Sequence, residues 1–256
     1  MADGAGVGSS LKGRVDPQEW QARVDLAALY RLVAMHGWDD LIYTHISARI
    51  PGPEHHFLIN PYGQLFEEIT ASCLVKVDLE GRVLQDTDSF INPAGFTIHS
   101  AIHAAREDAH FVIHLHTDDG VAVAAQAEGL LPISQHALAV LPMLAYHDYE
   151  GVALHLDERA RLVADLGDKT LMLLRNHGTL AVGDSAANCW IGMYYLERAC
   201  AIQVKALAAG RGHVLMASEQ SRAEVAEVVR AWGVGGALAW PGSLRKLARS
   251  SPGYDS

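Results

Sequence analysis

After Asp16, apolar residues recur at helical spacing: Trp20, Val24, Ala27, Ala28, Leu32 and Met35 line one stripe. Asp16 as N-cap, Pro17 at the first helical position and Glu19 in a capping-box-like place mark the start, and Gly37 the stop. The period then shortens to two. From Ile42 to Ile50 the residues Ile42, Thr44, Ile46 and Ala48 fall on one face, and Tyr43, His45, Ser47 and Arg49 on the other, which predicts a strand. Phe57 to Asn60 predicts a short strand ending at the turn Asn60-Pro61-Tyr62-Gly63. Leu74 to Val77 and Val83-Leu84 flank Glu80-Gly81 as a hairpin. Helices are expected over 93–105, after Asp118 or Asp119, over 158–166, from Asp184 or Ser185 to about Ala208, and over 218–232. Strands are expected over 110–116, 170–174 and 178–182.

Strands separated by helices, with hairpins among them, predict an α/β fold: three layers, α/β/α, around a mostly antiparallel sheet. No internal repeat or linker divides the chain. The expected organisation is a disordered Gly- and Ser-rich segment at 1–15, one domain over 16–234, and a Gly-, Pro- and Ser-containing tail at 235–256.

The chain has 256 residues, half of them apolar and a fifth charged, which suits a folded domain and excludes a disordered one. A formal net charge of −10 argues against a nucleic-acid partner, because phosphate binding needs a concentrated basic surface. The longest apolar run, Ala137 to Tyr146, is broken by Pro142 and is far short of the ~20 residues of a bilayer span, so no membrane role is expected. The first residues lack the apolar core of a signal peptide. Cys73, Cys189 and Cys200 are widely spaced and odd in number, and read as buried free thiols of a cytoplasmic protein. No GxGxxG or P-loop is present.

Histidine, with 14 copies, changes the picture. In His110-Phe-Val-Ile-His-Leu-His, strand alternation puts His114 and His116 on one face, two residues apart, where they can share a metal ion. A strand simply ending in polar residues is the plain alternative. The apolar run Leu171 to Leu174 leads straight into Arg175-Asn176-His177-Gly178, a tight turn suited to projecting His177. Three neutral imidazoles match a catalytic metal site with an open position, and leave the ion's double charge free to polarise a carbonyl. His99 and His103 share a helix face four residues apart. His99 is a candidate fourth ligand, acid/base or substrate contact, whereas His103 reads equally well as a solvated position.

Four segments together resemble the class II aldolase/adducin family: Tyr-Thr-His-Ile-Ser-Ala-Arg (43–49), Ala-Ile-His-Ala-Ala-Arg-Glu-Asp (101–108), Val-Ile-His-Leu-His (112–116) and Leu-Leu-Arg-Asn-His-Gly (173–178). The resemblance covers about residues 17–210, and the segment 239–246 is similar to tails of bacterial members closer to adducin than to sugar-phosphate aldolases. It implies a class II aldolase-like fold, a homotetramer with sites at subunit interfaces, and a divalent metal held at His114, His116 and His177. Zinc is the usual ion, with iron or manganese as alternatives. It also implies chemistry through a metal-bound enediolate.

The departures narrow the expectation. The family's catalytic Glu corresponds to Gly95, and its phosphate-gripping segments read here Thr44-His45-Ile46-Ser47, Asn60-Pro61-Tyr62-Gly63 and Pro93-Ala94-Gly95. His45 and Tyr62 replace small groups, which disfavours a phosphate pocket. Proton transfer then falls to His99 or to Tyr146, which lies where members place a tyrosine acid. His45, Tyr62 and Arg49 are the substrate-binding candidates, and Arg49 or Arg175 would meet a carboxylate. The leading expectation is a metal-dependent carbon–carbon lyase, of aldolase or decarboxylase type, acting on a small non-phosphorylated hydroxy- or keto-acid through a metal-bound enolate. The alternatives are a non-haem iron oxygenase on an aromatic keto-acid, and a non-catalytic adducin-like interaction module.

Overall fold

A computed structural model describes residues 11–151 and 158–256. In chain order the elements are α1 (Pro17–Met35), β1 (His45–Arg49), β2 (Phe57–Ile59), β3 (Val75–Val77), α2 (Pro93–Ala105), β4 (Phe111–Leu115), α3 (Asp118–Ala124), α4 (Gln135–Val140), β5 (Leu144–His147), α5 (Glu158–Leu166), β6 (Leu171–Leu174), β7 (Gly178–Gly183), α6 (Ala186–Leu207), α7 (Glu219–Trp232) and α8 (Gly236–Ser250). The strands form one sheet in the order β3-β2-β1-β4-β7-β6-β5. Every pairing is antiparallel except β5 with β6.

Register fixes which residues look to which side. Ile46, Ile113, Ala181 and Leu171 stand side by side across four strands and face a core built with α1 and α6. The next row, His45, His114, Leu180 and Met172, faces the other way, toward α2 and α5. A sheet covered on both sides is the three-layer arrangement that the strand and helix pattern implies. The polar residues His45, Ser47 and Arg49 of β1 all lie on the α2 side, as alternation requires.

Local capping sets the helix starts. Asp16 accepts a hydrogen bond from the Gln18 N–H at 2.8 Å, as the N-cap reading of the sequence has it. The cap of α3 is Thr117, one residue before the expected aspartates, with Gly120 N–H bonded to its hydroxyl at 3.0 Å. Ser185 caps α6 and Ser218 caps α7. The predicted strand at 42–50 is shorter at its start, because Leu41 and Thr44 take left-handed backbone angles of +52° and +66°. The second arm of the expected hairpin reduces to a single bridge between Val77 and Val83.

Two further differences concern the ends. Residues 236–250, read as a tail, form α8, which packs on α6 and buries Leu247. Trp240, Leu244 and Leu247 keep helical spacing that the surrounding Gly, Pro and Ser obscure. Residues 1–10 of the segment read as disordered lie outside the described residues; Leu11 is tied by its N–H to Ser72 Oγ at 3.2 Å. Cys189 and Cys200 are buried free thiols, whereas Cys73 is half-buried. Among the described residues, no helix is long and apolar enough to cross a membrane.

Candidate metal centre

His114 ends the run of inward-facing residues on β4, and His116 lies just past the strand on the same side. His177 arrives from the β6–β7 turn, where Asn176 adopts a φ of +56°, a conformation that asparagine tolerates better than most residues. The ligating atoms of the three histidines lie within 4.8 Å of one another. Gly178 is required by this convergence. A Cβ there would overlap the Leu115 carbonyl oxygen and stand 3.2 Å from His116 Cδ2 and 3.3 Å from His114 Cε1.

Hydrogen bonding orients two of the rings. His114 Nδ1 lies 3.0 Å from the Thr179 carbonyl oxygen, which can only accept, so this nitrogen carries the proton. His116 Nδ1 lies 3.1 Å from Asp40 Oδ2, and is protonated for the same reason. Both Nε2 atoms therefore present lone pairs, and they stand 3.1 Å apart. Two facing lone pairs repel unless a cation lies between them, so the donor set fits a divalent ion. An outer shell of one carbonyl and one carboxylate is the usual support for metal-ligating imidazoles. Burial, with the neighbouring histidines, keeps His114 well below its ordinary pKa. Burial likewise pushes His177 down to about 4. Both rings are neutral at pH 7, the form that binds metal.

Beneath the triad, on the opposite face of the sheet, sits a group that sequence reasoning missed. Glu197 of α6 is buried and accepts hydrogen bonds from Thr179 Oγ1 at 2.6 Å and Thr117 Oγ1 at 2.5 Å. Thr117 follows His116, and the Thr179 carbonyl holds His114, so this carboxyl ties together the two segments that carry the ligands. Burial pushes its pKa up to about 7. The sequence signal was a carboxylate inside the apolar stripe Trp190, Met193, Leu196 and Cys200 of α6. Asp40 was missed as well. It stands in a polar loop with no periodicity to mark it.

The remaining candidates divide. His45 is the cross-strand partner of His114, and its ring meets that of His99 edge-on at 6.1 Å. The structure therefore brings His45 and His99 to the triad's side of the sheet. His103, read equally well as solvated, is buried: Nε2 lies 2.7 Å from Ser47 Oγ and Nδ1 2.9 Å from the Ala109 carbonyl. Arg49 lies at the far end of β1 from His45, roughly 13 Å along the strand, and its guanidinium binds the carbonyls of His103 and Arg106. Arg175 is similarly engaged, bonding the Gln126 carbonyl at 2.7 Å and lying over the Tyr146 ring.

Tyr146 is not brought to the triad. It shares a row with Leu173 and Thr179 on the α6 side of the sheet, and its hydroxyl accepts the Leu130 N–H at 3.0 Å. Register explains the difference, because one residue's step along a strand reverses the face. Tyr62 packs edge-on against Phe90, and no contact links it to the triad among the described residues. Tyr149, which the sequence did not single out, has its ring 6.2 Å from that of His177.

Residues 24–204 match the model of the class II aldolase and adducin N-terminal domain. A Caulobacter vibrioides protein, provisionally named an aldolase class 2 protein, is 70% identical over 99% of both chains. Rat (Rattus norvegicus) alpha-adducin is 46% identical over 77% of this chain, which corresponds to 27% of adducin's own length. Among solved structures, an aldolase II superfamily protein from Pseudomonas syringae superposes with a TM-score of 0.92 at 53% identity, covering 97% of this chain and all of the other. L-fuculose 1-phosphate aldolase from Glaciozyma antarctica gives 0.79 at 25% identity, covering 97% and 96%. This chain belongs to the class II aldolase and adducin N-terminal domain family.

Proposed function

We propose that this protein is a divalent-metal-dependent carbon–carbon lyase, of aldolase or decarboxylase type, acting on a small non-phosphorylated hydroxy- or keto-acid. We take zinc as its resident ion, a cytoplasmic location, and a homotetramer with sites at subunit interfaces as its assembly. The observation that carries this reading is the 3.1 Å approach of two Nε2 lone pairs whose rings are anchored from behind by Thr179 and Asp40. The similarity to L-fuculose 1-phosphate aldolase supports carbon–carbon cleavage as the reaction class. A bound divalent ion supplies Lewis acidity toward substrate oxygens.

The chain's own residues do the rest. Thr179 and Asp40 hold the imidazoles in one tautomer. Leu180 and Met172, buried in the same sheet row as His114, keep water from its flank. His45 and His99 stand beside the triad as neutral donors and acceptors. A phosphate substrate is disfavoured because Arg49 lies at the far end of β1 from His45, where its guanidinium binds the His103 and Arg106 carbonyls, and Arg175 bonds the Gln126 carbonyl.

Metal content of protein purified without added metal, measured beside His114→Ala, tests the reading. About one zinc or manganese per chain, absent from the variant, is the expected result. Iron at the same position would redirect the search to oxygen-dependent reactions. A folded protein with no metal and no affinity for added metal would overturn the lyase and leave an interaction module.

A further inference from the structure

Beside the triad, buried polar atoms stand without partners: Thr44 Oγ1, both ring nitrogens of His45, and His99 Nε2. An unpaired buried donor or acceptor is costly to the fold. Such atoms persist where a ligand or water completes them. His45 is 5% exposed and His99 fully buried, so bulk water does not serve them.

A chain of partners fixes what His99 asks for. The Ala109 carbonyl only accepts, so His103 Nδ1, 2.9 Å away, carries its proton. His103 Nε2 is then a lone pair and takes the Ser47 hydroxyl proton across 2.7 Å. With its proton so used, Ser47 Oγ accepts from His99 Nδ1 across 2.6 Å. His99 Nε2 is left as an acceptor. Both rings are neutral, because burial drives His99 well below its ordinary pKa and, with the Arg49 cation, brings His103 down to about 3. His99 Nε2 therefore calls for a hydrogen-bond donor.

Gly95, in the first turn of α2, makes the corner possible. A Cβ at 95 would stand 2.6 Å from His45 Cδ2 and nearer still to Cγ and Nδ1. The His45 ring therefore occupies the volume that any side chain at 95 would claim. The result is an imidazole held against helix backbone with both nitrogens free.

We propose that His45, seated in the space left by Gly95, forms with His99 and Thr44 a hydroxyl-binding subsite that takes an uncharged O–H of a substrate whose neighbouring oxygens are held at the triad. This rests on the metal reading above. It makes the substrate an α-hydroxy carbonyl compound that is unphosphorylated at the end lodged here. A phosphate monoester would bring charge to neutral imidazoles, and its fully ionised form has no proton to give His99 Nε2.

The test uses two metal-chelating probes that differ by one hydroxyl, acetohydroxamate and glycolohydroxamate, titrated by calorimetry into the full-length zinc-loaded protein. Glycolohydroxamate is expected to bind about tenfold tighter or more, a gain of the size of one good buried hydrogen bond. The gain should vanish in His99→Ala and in His45→Ala, while acetohydroxamate affinity stays within about threefold of its original value. Gly95→Ala should also abolish it by displacing His45, and should destabilise the protein. Combined with His45→Ala, it should cost little stability, which separates displacement of the ring from general damage to α2. Equal affinity of the two probes in the unmodified protein would overturn the subsite while leaving the metal reading intact. Tighter binding of phosphoglycolohydroxamate than of glycolohydroxamate would overturn the proposed substrate class. Failure to bind zinc or acetohydroxamate at all would overturn both readings.

Discussion

The two faces of the sheet near the ends of β4 and β7 carry equally polar residues and treat them in opposite ways. On the α6 face, Glu197, Thr117 and Thr179 satisfy one another, and Tyr146 and Arg175 are bonded to backbone. On the α2 face, His45, His99 and Thr44 keep nitrogens and a hydroxyl without partners, and two histidine lone pairs face each other. The difference teaches where to look for function. A polar network that closes on itself holds structure, and one that stays open at buried atoms awaits something else.

Acid should break this comparison most strongly. Burial pushes His45 and His103 down to about 3, so each is neutral when folded and protonates only after unfolding as pH falls below about 6.5. Their contribution is present above the unfolded pKa and is lost as pH drops from there toward 3. The loss is about 2 kcal/mol for each at pH 5, at about 1.4 kcal/mol per pH unit. Glu197, with its pKa raised to about 7, acts in the opposite sense: its protonated form favours the fold, and that contribution fades as pH rises from its unfolded value toward 7. Urea unfolding of metal-free protein at pH 7 and pH 5 should therefore show a larger acid loss in Glu197→Gln than in the unmodified protein. Equal losses would mean that the two faces do not offset each other.

Glu197→Ala should follow in size. It strands two buried hydroxyls and should lower stability by about 3 kcal/mol. Because the Thr179 carbonyl anchors His114, zinc affinity should also fall, about tenfold or more. Competition with a zinc indicator measures this. Lost stability with unchanged affinity would show that the closed face does not position the open one. Glu197→Gln should recover part of the zinc affinity, since it keeps one acceptor.

Tyr146→Phe should give the smallest effect. Only the contact with the Leu130 N–H is removed, costing about 1 kcal/mol, and zinc affinity should not change. A collapse of turnover in this variant, once a substrate is found, would place Tyr146 in the catalytic set and point to a contribution from a neighbouring subunit.

Much of this was legible in the chain. The residues at about 93–105 predict a helix where α2 stands, and the pairing of His114 with His116 follows from strand alternation. His177 could be placed because an apolar strand ran directly into Arg175-Asn176-His177-Gly178. The support behind the ligands was less legible: Glu197 stands out inside the apolar stripe of α6, but the segments it ties together, and the reach of Asp40 to His116, depend on tertiary packing that no local period records. Tyr146 shows the same limit from the other side. The family resemblance offers it as a proton donor, and pairing with β6 turns its side chain to the α6 face of this chain. The helix at 236–250 was hidden by composition, although its 3.6-residue spacing was present.

The mutual exclusion of residues 45 and 95 constrains how this site can be inherited or rebuilt. An imidazole at 45 and any side chain at 95 claim the same volume, so neither position is free to drift alone. A lineage exchanging this arrangement for a carboxylate at 95 must shrink residue 45 first. The reverse passage must clear 95 before a histidine can enter. The order of the two steps is set by sterics, and a designer grafting the glutamate onto this scaffold would meet the same toll gate.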